Sequence, residues 1–77
     1  MALEPHGDFI AYTDSARKAI VRLNPATGEM DLDPRWYEDD AQVFISEGGE
    51  HVYAFKHGVL VLAQWSRHEK HGGWNDE

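Results

Sequence analysis

Residues 41–65 read AQVFIS-EGGE-HVYAFK-HG-VLVLAQW and decide the fold. Three runs rich in β-branched and aromatic residues are separated by glycine-containing breaks, the pattern of a three-stranded antiparallel meander. The register can be worked out from the turns. A turn at Gly48-Gly49 sets Ile45 opposite Val52, Phe44 opposite Tyr53 and Val43 opposite Ala54. A turn at His57-Gly58 sets Phe55 opposite Leu60, Ala54 opposite Val61, Tyr53 opposite Leu62 and Val52 opposite Ala63. Both turns sort the side chains onto the same two faces, one with Phe44, Tyr53, Phe55, Leu60 and Leu62, the other with Val43, Ile45, Val52, Ala54, Val61 and Ala63. A two-residue first turn would oppose Glu47 to Glu50, which is unfavourable; a four-residue turn relieves it. Both faces are apolar, whereas a half-exposed antiparallel sheet alternates apolar with polar. Each face therefore needs a cover: the N-terminal half, the C-terminal tail or a second copy of the chain.

Working outward, DFIAYT (8–13) reads as a strand. SARKAIVRL (15–23) has two readings. As a strand it points Ala19, Val21 and Leu23 one way. As a helix capped by Thr13 or Asp14 it has a stripe of Ala16, Ala19, Ile20 and Leu23. The turn chemistry of Asn24-Pro25-Ala26-Thr27-Gly28 favours the strand, with Glu29 to Leu32 as the return strand. Asp33-Pro34 has the form of a helix start, Asp as N-cap and Pro at the first position. Residues 66–77, SRHEKHGGWNDE, read as a polar tail, in which Trp74 is either tolerated exposure or a side chain that folds back onto the sheet. The expected architecture is all-β or β-dominated: a small antiparallel meander or open barrel of five to six short strands, with one short helical turn near Pro34. Residues 1–65 form one domain and 66–77 its tail.

FIAYTDSARKAIVRLNPATGEM, from Phe9 to Met30, resembles part of a β-propeller blade repeat of the NHL or gluconolactonase type. In such blades a strand ending in T-D-S is followed by a V-R-L strand and a D/N-P-x-T-G turn. Val43 to Leu62 is similar to a blade hairpin, with EGGEHVYAF at the turn. The resemblance implies a strand from Lys18 to Leu23. It does not imply a propeller, which needs several blades, and no functional residue is carried over from it.

A chain of 77 residues predicts one domain with a modest core. It contains no cysteine, so disulfides, thiolate metal sites and cysteine nucleophiles are excluded. No stretch approaches the length of a membrane helix, and residues 1–7 lack the pattern of a signal peptide. A soluble, cytoplasmic protein is expected. The net charge of −7 disfavours direct binding to nucleic acid and favours a protein partner with a basic surface. The acidity is concentrated: Glu29, Asp31, Asp33, Glu38, Asp39 and Asp40 lie within twelve residues, opposed only by Arg35. Such a run is either a solvated loop or a docking surface. Trp36 and Tyr37 beside it are either a cap on the core or interface anchors.

Catalytic motifs are not evident. Neither a Gly-rich phosphate loop nor a G-x-S-x-G elbow occurs. His51, His57, His68 and His71 could in principle ligate a metal, but no spacing among them makes a convincing ligand set. Asp31-x-Asp33 lacks the glycine and glutamate of a calcium loop. No cofactor or metal is predicted. The preferred reading is a non-catalytic protein-binding module that docks Glu29, Asp31, Asp33, Trp36, Tyr37, Glu38, Asp39 and Asp40 on a basic partner. One form of it is an inhibitor imitating phosphate charge, as small phage proteins do. Two alternatives stand beside it: an accessory subunit associating through an apolar sheet face, with a homodimer as one form, and a small histidine- or metal-dependent enzyme.

Overall fold

The computed structural model describes residues 1–69. Among the described residues eight strands form two antiparallel sheets: β1 (Ala2–Leu3), β2 (Ile10–Asp14), β3 (Ala19–Asn24), β4 (Glu29–Asp33), β5 (Gln42–Ile45), β6 (Val52–Lys56), β7 (Val59–Leu62) and β8 (Arg67–Glu69). The larger sheet has the order β1-β2-β3-β4-β8 and the smaller the order β5-β6-β7. The all-β expectation holds, with more strands than expected and in two open sheets rather than a barrel.

The smaller sheet has the register worked out from the turns. Val43 pairs with Ala54, Phe44 with Tyr53 and Ile45 with Val52, while Tyr53 pairs with Leu62, Ala54 with Val61 and Phe55 with Leu60. The first connection is the longer one. Ser46 N–H donates to the His51 carbonyl (2.9 Å), and a single 3-10 turn at Glu47–Gly49 fills the loop. Glu47 is thereby swung away to meet His6 at 2.7 Å. The second is a two-residue turn with positive φ at both His57 and Gly58, the type I′ geometry that matches strand twist.

In the larger sheet the segment with two readings is strand β3, paired residue for residue with β2 and β4. Asn24 closes the β3–β4 turn: its carbonyl accepts the Gly28 N–H (2.7 Å) and its side chain the Ala26 N–H (3.0 Å).

The two sheets enclose the main core. Ala11 and Ile20 of the larger sheet meet Val43, Val52, Ala54 and Ala63 on one face of the smaller, with Ala41, and Trp36, Ile45, Val61 and Trp65 pack around them. Four of these seven buried residues are alanine, so the core is built largely of small side chains. A second cluster of Ala19, Val21 and Leu32, with Tyr12 and Met30, lies on the opposite face of the larger sheet, as the period-two alternation of strands requires.

Two expectations are corrected. No helix forms near Pro34; residues 34–35 are a turn and 36–38 are irregular. The Asp33 carboxylate is buried and accepts the Arg35 N–H (3.0 Å), as a cap would. It also accepts the Arg35 guanidinium and, at 2.8 Å, the N–H of Gln64, and Trp36 then turns into the core. Packing thus overrides a segment too short to nucleate a helix by itself. The domain also does not end at residue 65, because Arg67–Glu69 of the expected tail pair with Met30–Leu32 as edge strand β8. Charged residues suit such an edge. Trp74 and His71 lie outside the described residues.

Candidate protein-binding surface

The face of the smaller sheet turned away from the core carries two cross-strand rows, Phe44–Tyr53–Leu62 and Gln42–Phe55–Leu60. Five of these six side chains are apolar, and four are substantially exposed: Phe44 at 45%, Phe55 at 40%, Leu60 at 60% and Leu62 at 39%. The molecule is inverted in size. Alanines dominate the interior while the phenylalanines of β5 and β6 stand outside. Single exposed apolar residues are unremarkable, but a contiguous apolar patch marks an interaction surface.

The edges of the face differ from its centre. Ala63 N–H donates to the Val52 carbonyl (2.8 Å), so by antiparallel alternation Leu60 and Leu62 turn their backbone groups outward from β7. The Leu62 carbonyl accepts from Arg35 Nη2 (3.3 Å), which blunts this edge against another strand. At the end nearest the β6–β7 hairpin lie Glu38, Asp39 and Asp40, all exposed. Lys56 Nζ donates to the Asp39 carbonyl and Tyr37 Oη to the Asp39 carboxylate. That carboxylate, with burial adding to it, pushes the Tyr37 phenol up from its ordinary pKa.

The acidic segment is not one continuous surface. Glu29 is half-buried at the start of β4, 3.9 Å from His68 Nε2. Asp31 is held by the Arg22 guanidinium (2.5 Å) and by His68 Nδ1 (2.8 Å). Asp33 is fully buried, and Trp36 packs against the core. Tyr37 is half-buried, with Lys18 Nζ 5.5 Å from its ring centre. Only Glu38, Asp39 and Asp40 face solvent together. The structure therefore divides the eight residues: three line the end of the apolar face, three fasten strand β4, and the two aromatics lie partly inside.

His51 and His57 are exposed and His68 is tied to Asp31. Among the described residues no group of three or more His, Asp or Glu side chains is arranged to hold a metal. A shallow open cleft of about 360 Å³ is lined by Gly7, Asp8, Phe9, Asn24, Pro25 and Ala26, so its only titratable side chain is Asp8. Among the described residues no helix is long and apolar enough to cross a membrane.

The sequence showed two apolar faces but not which one stays open. The available signal was residue size: Ala54 and Ala63 allow close approach of a second sheet, while Phe44, Tyr53 and Phe55 hold it off. Comparison with protein-family models, curated proteins and solved structures finds no match.

Proposed function

We propose that this protein is a non-catalytic binding module that attaches to a partner protein through the outer face of its three-stranded sheet. The observation that carries this reading is the exposure of Phe44, Phe55, Leu60 and Leu62 as one patch over a core built largely of alanine. Fully burying such side chains is worth on the order of 1.5–3 kcal/mol each, and with 39–60% of each still exposed roughly half of that gain remains available to a partner. The test is affinity capture from extracts of the source cells with three baits: the wild type, Phe55→Ser, and the triple reversal Glu38→Lys, Asp39→Lys and Asp40→Lys. The reading requires a co-purifying protein that is lost with Phe55→Ser. Retention of every captured protein by that variant overturns it.

A second reading has Glu38, Asp39 and Asp40 as the main contact, docking on a basic, nucleic-acid-binding partner by imitating phosphate charge. Their joint exposure favours it. Under this reading the triple reversal abolishes capture and its salt dependence, while Phe55→Ser leaves both in place.

A further inference from the structure

We infer that the outer face of the three-stranded sheet receives one short amphipathic helix of a partner protein, apolar along one stripe and basic at both ends. This rests on the proposed function and names the chemistry of the partner.

Width and area point to a single helix. Three strands about 4.8 Å apart span roughly 10 Å between the outer two, the diameter of one α-helix with its side chains. At about 200 Å² for a fully exposed large side chain, the exposed fractions of the face amount to roughly 400 Å². A standard interface takes about 800 Å² from each partner. The patch is thus short for a second copy and ample for one helical stripe. Addition of a strand is opposed at the β7 edge, where Arg35 occupies the Leu62 carbonyl.

Charge decides the partner's sign. One end of the face is lined by Glu38, Asp39 and Asp40, and exposed Glu50 stands at the other, where Glu47 is taken up by His6 at 2.7 Å. The nearest cations are engaged: Arg35 on Asp33 and Lys56 on the Asp39 carbonyl. A second copy would bring another net charge of −7 against these ends, as would an acidic helix. Lysine or arginine at both ends of an apolar stripe complements them.

The test uses two synthetic amphipathic peptides with the same leucine stripe, one flanked by lysines and its twin by glutamates. Each is titrated against the full-length protein by fluorescence anisotropy at low and at high salt. The lysine peptide is expected to bind at least about tenfold more tightly than its twin at low salt, with the gap closing as salt screens it. Phe55→Ser and, separately, Leu60→Ser are expected to weaken it at least about tenfold. Both side chains are exposed, and circular dichroism checks that the variants fold. Equal binding of the two peptides, or binding of neither, overturns the inference. If the wild type instead sediments as a dimer that Phe55→Ser disperses, the face is still an interface and only the helix is wrong. If Phe55→Ser and Leu60→Ser change neither peptide binding nor sedimentation, and capture is also unaffected, both readings fall.

Discussion

Glu4 Oε2 accepts the backbone N–H of Gly48 at 2.6 Å across 44 positions of sequence, joining the end of strand β1 to the turn of the smaller sheet. Its other oxygen accepts the N–H groups of His6 and Asp8, both at 3.0 Å. Removal of this carboxylate leaves three backbone donors without their acceptor. Glu4→Ala is expected to lower the melting temperature by roughly 4–8 °C, whereas Glu47→Ala, which loses only an exposed contact with His6, is expected to leave it nearly unchanged. Thermal unfolding followed by circular dichroism compares the two.

Four carboxylates give the fold a defined response to acid. Burial by itself would raise the pKa values of Glu4, Asp14, Asp31 and Asp33, yet all four are held below their ordinary values by the hydrogen bonds they accept. The donors are backbone N–H groups for Glu4; the backbone and side chain of Arg17 for Asp14; His68 and Arg22 for Asp31; and Arg35 and the Gln64 N–H for Asp33. A carboxyl whose folded pKa is depressed binds its proton more readily when unfolded. Its contribution is complete above the unfolded pKa and is lost as pH falls through the folded one. Urea midpoints are therefore expected to stay level from neutrality down to about pH 5 and to fall steeply below about pH 4. A midpoint unchanged at pH 3 would contradict this account.

Gly49 is constrained for a reason that does not apply to Gly48. Both have positive φ, but a Cβ at Gly49 would lie 2.4 Å from Phe9 Cδ2, while at Gly48 it would meet nothing. The Phe9 ring is itself stacked, its centre 5.1 Å from the Arg22 guanidinium. Gly48→Ala should cost about 1 kcal/mol, the penalty of the left-handed backbone alone. Gly49→Ala should cost about 2–4 kcal/mol, because steric overlap is added. Denaturant midpoints of the two variants measure the difference.

Arg22 fastens β3 to β4 within the larger sheet and reaches the turn of the smaller one. It donates twice to Asp31 Oδ2, at 3.1 and 2.5 Å, and once to the Gly49 carbonyl at 2.6 Å. Its guanidinium also lies between Phe9 and Trp65, 5.0 Å from the indole. Lysine has the charge but neither the planar fork nor the stacking surface. Arg22→Lys is expected to destabilise by about 1–3 kcal/mol, read from denaturant midpoints, and to change the tryptophan emission, to which Trp65 contributes beside Trp36 and Trp74.

His57 occupies the first position of the type I′ turn with φ 55°, a conformation that asparagine adopts more easily. His57→Asn is expected to stabilise by roughly 0.5 kcal/mol, seen as a small rise in melting temperature with peptide binding unchanged.

Much of the smaller sheet was legible in the sequence because its turns fix pairing locally. The Lys56–Val59 and Ser46–His51 closures set every partner between them. The acidic segment was legible only as a composition. Asp33 and Asp40 look alike in the chain, but Asp33 is buried beneath the Gln64 N–H while Asp40 faces solvent. That difference depends on residues some thirty positions away. Strand β8 was not legible for a related reason: three charged or polar residues have no strand signature, and only the open edge of β4 makes them one.

The sequence by itself determined the all-β class, the register of the meander and the existence of two apolar faces, since period-two alternation and turn chemistry act over a few residues. The tertiary structure decided which face is covered. The face with Val43, Val52, Ala54 and Ala63 is buried against Ala11 and Ile20 of the larger sheet, and the face with Phe44, Tyr53 and Phe55 remains open. It also decided which carboxylates fasten the fold and which face solvent, because burial and hydrogen-bond partners come from strands far apart in sequence.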